Sequence, residues 1–223
     1  LVAGDDNGVG TISGASIEAG HVELTALNNI ANSTILSTGK KNTVNVFALN
    51  EMGSVSIKAE GDIVIDAATI DTLDAFTLGD LAIGVDPAAA DPRRITSIST
   101  SNLYAAGNIL INADEYVNDV SANAADTIMV NVNGTQNAVE NKVISGGIVN
   151  GSYIGGNVVL NALNGYVTGV EVVAGEGLSV INDDYVFGVA NINAGKDIEN
   201  VTVRSLEGAT VSAGRHIANV DAT

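Results

Sequence analysis

Ala194-Gly195-Lys196-Asp197-Ile198-Glu199-Asn200-Val201-Thr202-Val203-Arg204-Ser205-Leu206-Glu207-Gly208-Ala209-Thr210-Val211-Ser212-Ala213-Gly214 contains one phrase in full and opens its next occurrence, which runs on through Arg215-His216-Ile217. A small residue and a glycine lead through one or two variable positions into aliphatics and a polar turn residue. Outward from this stretch the phrase returns as Ala19-Gly20-His21-Val22, Glu60-Gly61-Asp62-Ile63, Ala106-Gly107-Asn108-Ile109, Gly155-Gly156-Asn157-Val158 and Gly175-Glu176-Gly177-Leu178. Gly155, Gly175, Gly195 and Gly214 follow one another at 20, 20 and 19 residues. Such self-similarity is the mark of a repeat architecture and precedes every other reading. Gly61 to Gly107 (46 residues) and Gly107 to Gly155 (48) each exceed two periods. The excess predicts loop insertions at 84–94, which holds both prolines, and at 131–150, rich in Asn and Gly.

Within a period, Val44-Asn45-Val46, Val55-Ser56-Ile57, Val170-Glu171-Val172 and Val201-Thr202-Val203 alternate apolar and polar residues. That predicts strands of three to five residues with one face inward. The nearest approach to a helical stripe is 66–81, where Ile70, Leu73, Phe76 and Thr77 fit only loosely. The chain therefore reads as all-β. A period near 20 with two or three short strands is what a parallel β-helix requires, each coil stacking about 4.8 Å above the last. Residues 1–223 then form one β-solenoid segment of about ten coils, a rod on the order of 50 Å long. A β-sandwich, the rival, needs no recurring phrase and builds its core on aromatics.

Composition agrees. Of 223 residues 46% are hydrophobic, yet there are three Phe, five Tyr and no Trp, so the core must be built from small aliphatic layers. The 26 acidic and 9 basic residues give a net charge of -17, which repels phosphate backbones and excludes nucleic acid as a partner. With no Cys and two His there are no disulfides, thiolate metal sites or His-rich centres. No apolar run reaches the roughly 18 residues of a membrane span. The start at Leu1, with neither Met nor a basic leader, suggests a processed product or a segment of a longer chain.

The candidate turn glycines are Gly20, Gly61, Gly107, Gly156, Gly175, Gly195 and Gly214. Five residues beyond the phrase glycines stand Thr25, Asp66, Asn112, Asn161, Asn182, Asn200 and Asn219. The five asparagines predict a structural ladder, each amide bonding the one a coil away. The residue after the glycine, as in His21, Asp62, Asn108, Asn157, Lys196 and Arg215, predicts a solvated column. Chemistry is sparse: no P-loop, serine elbow or HExxH occurs, and no catalytic residue is assigned. Asp183 and Asp184 with Arg204 or Lys196 are the one combination a polysaccharide lyase or hydrolase could use. Asp5-Asp6-Asn7-Gly8 has the oxygen-rich look of a calcium loop but lacks the third spaced ligand and terminal Glu, so Asp5 and Asn7 are weak metal candidates and calcium the only cofactor with one. Sequons at Asn32, Asn133, Asn150 and Asn200 are about as many as 25 Asn give by accident.

The phrase in Ala194 to Gly214 resembles the roughly 19-residue haemagglutinin-type repeats of filamentous haemagglutinin-like bacterial exoproteins and the passenger repeats of autotransporter adhesins. The resemblance covers most of the chain through pattern rather than particular side chains, and no functional residue carries over. It implies a right-handed β-helix that is extracellular or displayed on the cell surface and acts as an adhesive or filament-forming rod. Expected partners are further copies, end to end or laterally, and host or cell-surface carbohydrate or protein. An acidic surface-layer or calcium-dependent binding module is the alternative, and a carbohydrate-active enzyme the second. The dedicated secretion domain of such exoproteins is not recognisable here.

Overall fold

The computed structural model describes residues 1–4, 10–40, 42–85, 95–137, 142–144, 146–175 and 188–223. Among them the chain is all-β, with strands and turns and no helix. Residues 66–81, the nearest approach to a helical stripe, lie mainly in the strand Ile63–Thr77. Eighteen strands join one hydrogen-bonded sheet. Every pairing within it is parallel, and the only antiparallel pair among the described residues is the hairpin of Thr135–Asn137 with Lys142–Ile144.

The strands fall into two rows. A short row runs through Val22–Ala26, 44–48, 63–67, Leu81–Ile83, 109–113, Thr127–Val132, Asn157–Ala162, Val189–Ala194 and Gly208–Ala213. A long row runs from Ile12–Ser13 and Ser16–Ala19 through Ile30–Ser37 to His216–Ala222. In both, each residue pairs with its equivalent one step later in the chain, so equivalents stand in columns. Ile12, Ile30, Met52, Ile70, Ile98, Val117, Ile148, Val167, Ile198 and Ile217 make one such column. All are buried up to Ile198. Leu24, Val46, Ile65, Ile83, Ile111, Val130, Leu160 and Ile192 make another, also buried. Burying each of these side chains contributes about 1.5 to 3 kcal/mol. Where the short row turns into the long one the inward position is Ala26, Ala48, Ala67, Ala113, Val132, Ala162 and Ala194, small side chains throughout. This is why the core needs almost no aromatics.

Two expectations from periodicity are corrected. Strands are not limited to three to five residues: Val44–Ala59 and Ile109–Ala124 each run for 16. Their apolar alternation is broken midway, as in the pattern of Ile30–Ser37, where one extra outward residue precedes the next inward one. That residue is left-handed. All eight described non-glycine residues with positive φ occupy this position: Asn32, Ser54, Thr72, Thr100, Asp119, Asn150, Asn200 and Asn219. Gly14 (φ 65°) and Gly169 (φ 66°) fill the same column. The bend behaves as a bulge, shifting the phase by one residue and restoring the inward face. It also interrupts the backbone ladder; beside it Ala15 N–H donates to Ser33 Oγ (3.2 Å) and Leu73 N–H to Ser101 Oγ (3.1 Å).

The second correction concerns spacing. Ile109 pairs with Ile128, 19 residues on, and Ile63 with Leu81, 18 on. Larger steps occur from Leu81 to Ile109 (28), Ile128 to Val158 (30) and Val158 to Ala190 (32). The first excess contains 84–94, of which 86–94 lie outside the described residues. The second narrows to 133–146, since Asn131 and 147–150 belong to strands and the hairpin stands between. The third lies between Ala174 and Val189; Gly177-Leu178-Ser179-Val180, which carries the phrase in sequence, lies outside the described residues. Gly155 and Gly175 lie where the long row turns into the short row, whereas Gly195 and Gly214 follow Ala194 and Ala213 at the opposite corner. Their even spacing mixes two corners.

Two predictions follow from core and bend. A β-branched residue in the left-handed region is strained by roughly 1 to 2 kcal/mol, so Thr100→Asn should raise stability by about 1 kcal/mol in urea unfolding; no gain would deny that strain. Tyr153 is fully buried and its hydroxyl has no hydrogen-bond partner, so Tyr153→Phe should be neutral or stabilising by about 1 kcal/mol. Burial also pushes the Tyr153 phenol above its ordinary value. The unfolded chain therefore ionises first, and stability falls as pH rises past about 10. Thermal melts at alkaline pH should show the advantage of Tyr153→Phe widening.

Candidate binding face

The outward side chains of the short row form two columns about 7 Å apart. In one, Asn131 Nδ2 donates to Asn112 Oδ1 (2.9 Å), Asn161 Nδ2 to Asn131 Oδ1 (3.0 Å) and Asn193 Nδ2 to Asn161 Oδ1 (3.0 Å). The register places these four in line. Each inner amide spends one N–H and one lone pair on its neighbours, leaving a second donor and a second acceptor position. The other column carries Val64, Ala82, Leu110, Met129 and Val159, partly exposed apolar side chains.

The asparagines expected to form one ladder separate into two rows. Asn112 and Asn161 belong to the short-row ladder, which also takes in Asn131 and Asn193. Asn200 and Asn219 occupy the left-handed bend of the long row, where Asn219 Nδ2 donates to Asn200 Oδ1 (3.0 Å). Asn182 lies outside the described residues. Counting from glycines missed Asn131, where Asp126 stands in place of the glycine, and Asn193, which follows Gly188 rather than a glycine of the phrase. The signal was an aliphatic residue, Asn, then Ala or Val, recurring as Ile111-Asn112-Ala113, Val130-Asn131-Val132, Leu160-Asn161-Ala162 and Ile192-Asn193-Ala194.

The column after the phrase glycine does more than meet solvent. Asp62 Oδ1 accepts Asp80 N–H (2.9 Å), Asp80 Oδ1 accepts Asn108 N–H (2.7 Å), Asn108 Oδ1 accepts Thr127 N–H (3.1 Å), and Asn157 Oδ1 accepts Val189 N–H (3.1 Å). These side chains supply acceptors for backbone donors at a turn. At the other corner Arg215 N–H donates to Lys196 O (2.9 Å), and the Arg215 side chain is ion-paired with Asp197. Of the turn glycines, Gly61, Gly195 and Gly214 leave no room for a Cβ, which would strike the Asn42, Leu163 and Gly195 carbonyls respectively.

Of the enzyme-like combination, Lys196 precedes the strand Asp197–Ser205 and Arg204 lies near its far end, while Asp183 and Asp184 lie outside the described residues, as do the metal candidates Asp5 and Asn7. No group of three metal-ligating side chains occurs among the described residues. A groove of about 270 Å³ opens on the short row between Glu23, Thr25, Asn45, Phe47, Val64 and Asp66. Its second carboxylate, Asp66, is buried. The sequons at Asn32, Asn150 and Asn200 have a structural origin: Asn occupies the left-handed bend, and two residues on the chain presents an outward Thr34, Ser152 or Thr202.

Asn161 holds two amide bonds at once, so Asn161→Ala should cost about 1 to 2 kcal/mol. Asn219→Gly, which removes one exposed bond at a left-handed position that glycine accepts, should cost under about 0.5 kcal/mol. Denaturant unfolding of both variants checks the order; equal costs would deny the ladder its structural role.

Set against family models, curated proteins and solved structures, the chain matches none.

Proposed function

We propose that the chain is a right-handed β-solenoid segment of about ten coils in a secreted or surface-displayed bacterial protein, and that it serves as a structural and adhesive rod. The observation that carries this reading is the order of pairing. Both rows advance through the chain together, each strand pairing in parallel with its successor, from Ile12↔Ile30 to Ile198↔Ile217 in one and Val22↔Val44 to Ala190↔Ala209 in the other. A chain that alternates between two such rows winds, and the right hand is the general preference for parallel crossovers. A uniform outer surface repeated along an axis suits a spacer that holds contacts away from its anchor. The resemblance to haemagglutinin-type repeats supplies the cellular location and the adhesive role.

Thr34, Asn102, Ser152 and Thr202 belong to one outward column. Spin labels on Thr34→Cys paired in turn with Asn102→Cys, Ser152→Cys and Thr202→Cys should report separations near 14, 24 and 34 Å, at about 4.8 Å per coil. Distances that fail to grow with position would overturn the rod. Beads coated with the chain should adhere to host cells more than beads coated with an unrelated protein of equal charge. Equal adherence would remove the adhesive half and leave the rod.

A further inference from the structure

The ionisable residues are unevenly placed. On the long row, outward positions include Glu18, Lys58, Asp71, Asp74, Glu171 and Glu199. On the short row, from Ala82 through Leu110, Met129, Val159 and Asn191 to Thr210, the outward column contains no ionisable side chain. Its neighbour, the amide ladder continued to Ser212, contains none either. In a chain with 26 acidic and 9 basic residues, the two outward columns of six successive strands therefore carry only uncharged side chains: apolar residues, amides and, at the last strand, the hydroxyls of Thr210 and Ser212.

Depletion of charge around an apolar centre is the compositional signature of an interface core. Such a face excludes several occupants. Nucleic acid is repelled by the net charge of -17. A sugar would seek an aromatic platform, and neither column has an aromatic residue over these six strands. Two copies of this chain also repel each other, so they can meet closely only where charge is missing.

We propose that this uncharged face is a self-association surface on which a second copy packs laterally. A twofold axis along the strands lays the two stacks antiparallel, with Met129 against the partner's Val159, Leu110 against the partner's Asn191 and amide row against amide row. The contact is isologous and closed. The free N–H and oxygen positions of each ladder then find acceptors and donors in the other, and the two sheets pack at about 10 Å. Six strands about 20 Å wide and 4.8 Å apart cover roughly 550 Å² per copy, about 1,100 Å² in all. That is the lower range of specific interfaces, so the pair should be weak and reversible. The inference rests on the solenoid reading, which extends the face along one axis.

Sedimentation velocity on the 223-residue chain from about 1 μM to 1 mM covers the affinities expected of such an interface. A monomer–dimer equilibrium is expected, strengthened by salt because screening relieves repulsion between acidic copies. Val159→Glu and Met129→Glu should each weaken it at least about tenfold by placing like charges across the contact. Ser121→Glu adds the same charge on the long row and controls for repulsion at a distance. Asn191→Glu offers a polar starting point if the apolar sites tolerate Glu poorly, and circular dichroism checks each fold. A monomer at every concentration and salt overturns the pairing, as does a dimer weakened equally by Val159→Glu and Ser121→Glu. Spin-label distances that grow linearly in a monomeric protein reject the pairing alone; distances that do not grow reject the rod.

Discussion

A parallel backbone hydrogen bond joins each residue to its equivalent one step later in the row, and it fixes a separation of about 4.8 Å that every other part must accept. Side chains of similar bulk have to lie directly over one another at that spacing, which favours Ile, Val and Leu inward and Ala at the corners. Where bulk varies, neighbours compensate: Tyr153 stands over Ala122, and Ala75 lies between Ile57 and Leu103. Stacking also brings identical polar groups together, so amides, which both donate and accept, prosper where like charges would repel.

The same spacing governs the turns. A corner that recurs at 4.8 Å leaves backbone N–H groups facing the next corner, and the chain answers with Asp62, Asp80, Asn108 and Asn157, one acceptor for each. These carboxylates and amides would pass for ordinary surface polarity in a sequence. Their regular recurrence is structural, and it accounts for part of the acidity that otherwise suggests only solubility.

Much of the fold was legible because periodicity reports burial. The alternation in Val44-Asn45-Val46 and Val201-Thr202-Val203 gave the strand faces, and the recurring Ala-Gly phrase gave the repeat. The phrase could not say which corner it marked, because both corners need small residues for the same steric reason. Hence Gly175 and Gly195 looked like successive equivalents though they lie at opposite turns. The left-handed column escaped because Asn, Ser, Thr, Asp and Gly share a backbone angle there rather than a chemistry. The amide ladder was half legible: Asn112 and Asn161 were found, whereas Asn131 and Asn193 required the register. Lateral charge distribution was invisible until the two rows were separated.

The short-row ladder also has a sense. Every amide donates toward the N-terminal side, from Asn193 down to Asn112, so the side-chain dipoles add rather than cancel. Asn112 closes the lower end with its oxygen engaged, while Asn193 closes the upper end beside Ser212 with a carbonyl that no further amide takes. The column is thus a vector embedded in an otherwise repetitive surface. A repeat transplanted into it must arrive with its amide aimed the same way, and one reversed asparagine would set donor against donor at one junction and acceptor against acceptor at the other.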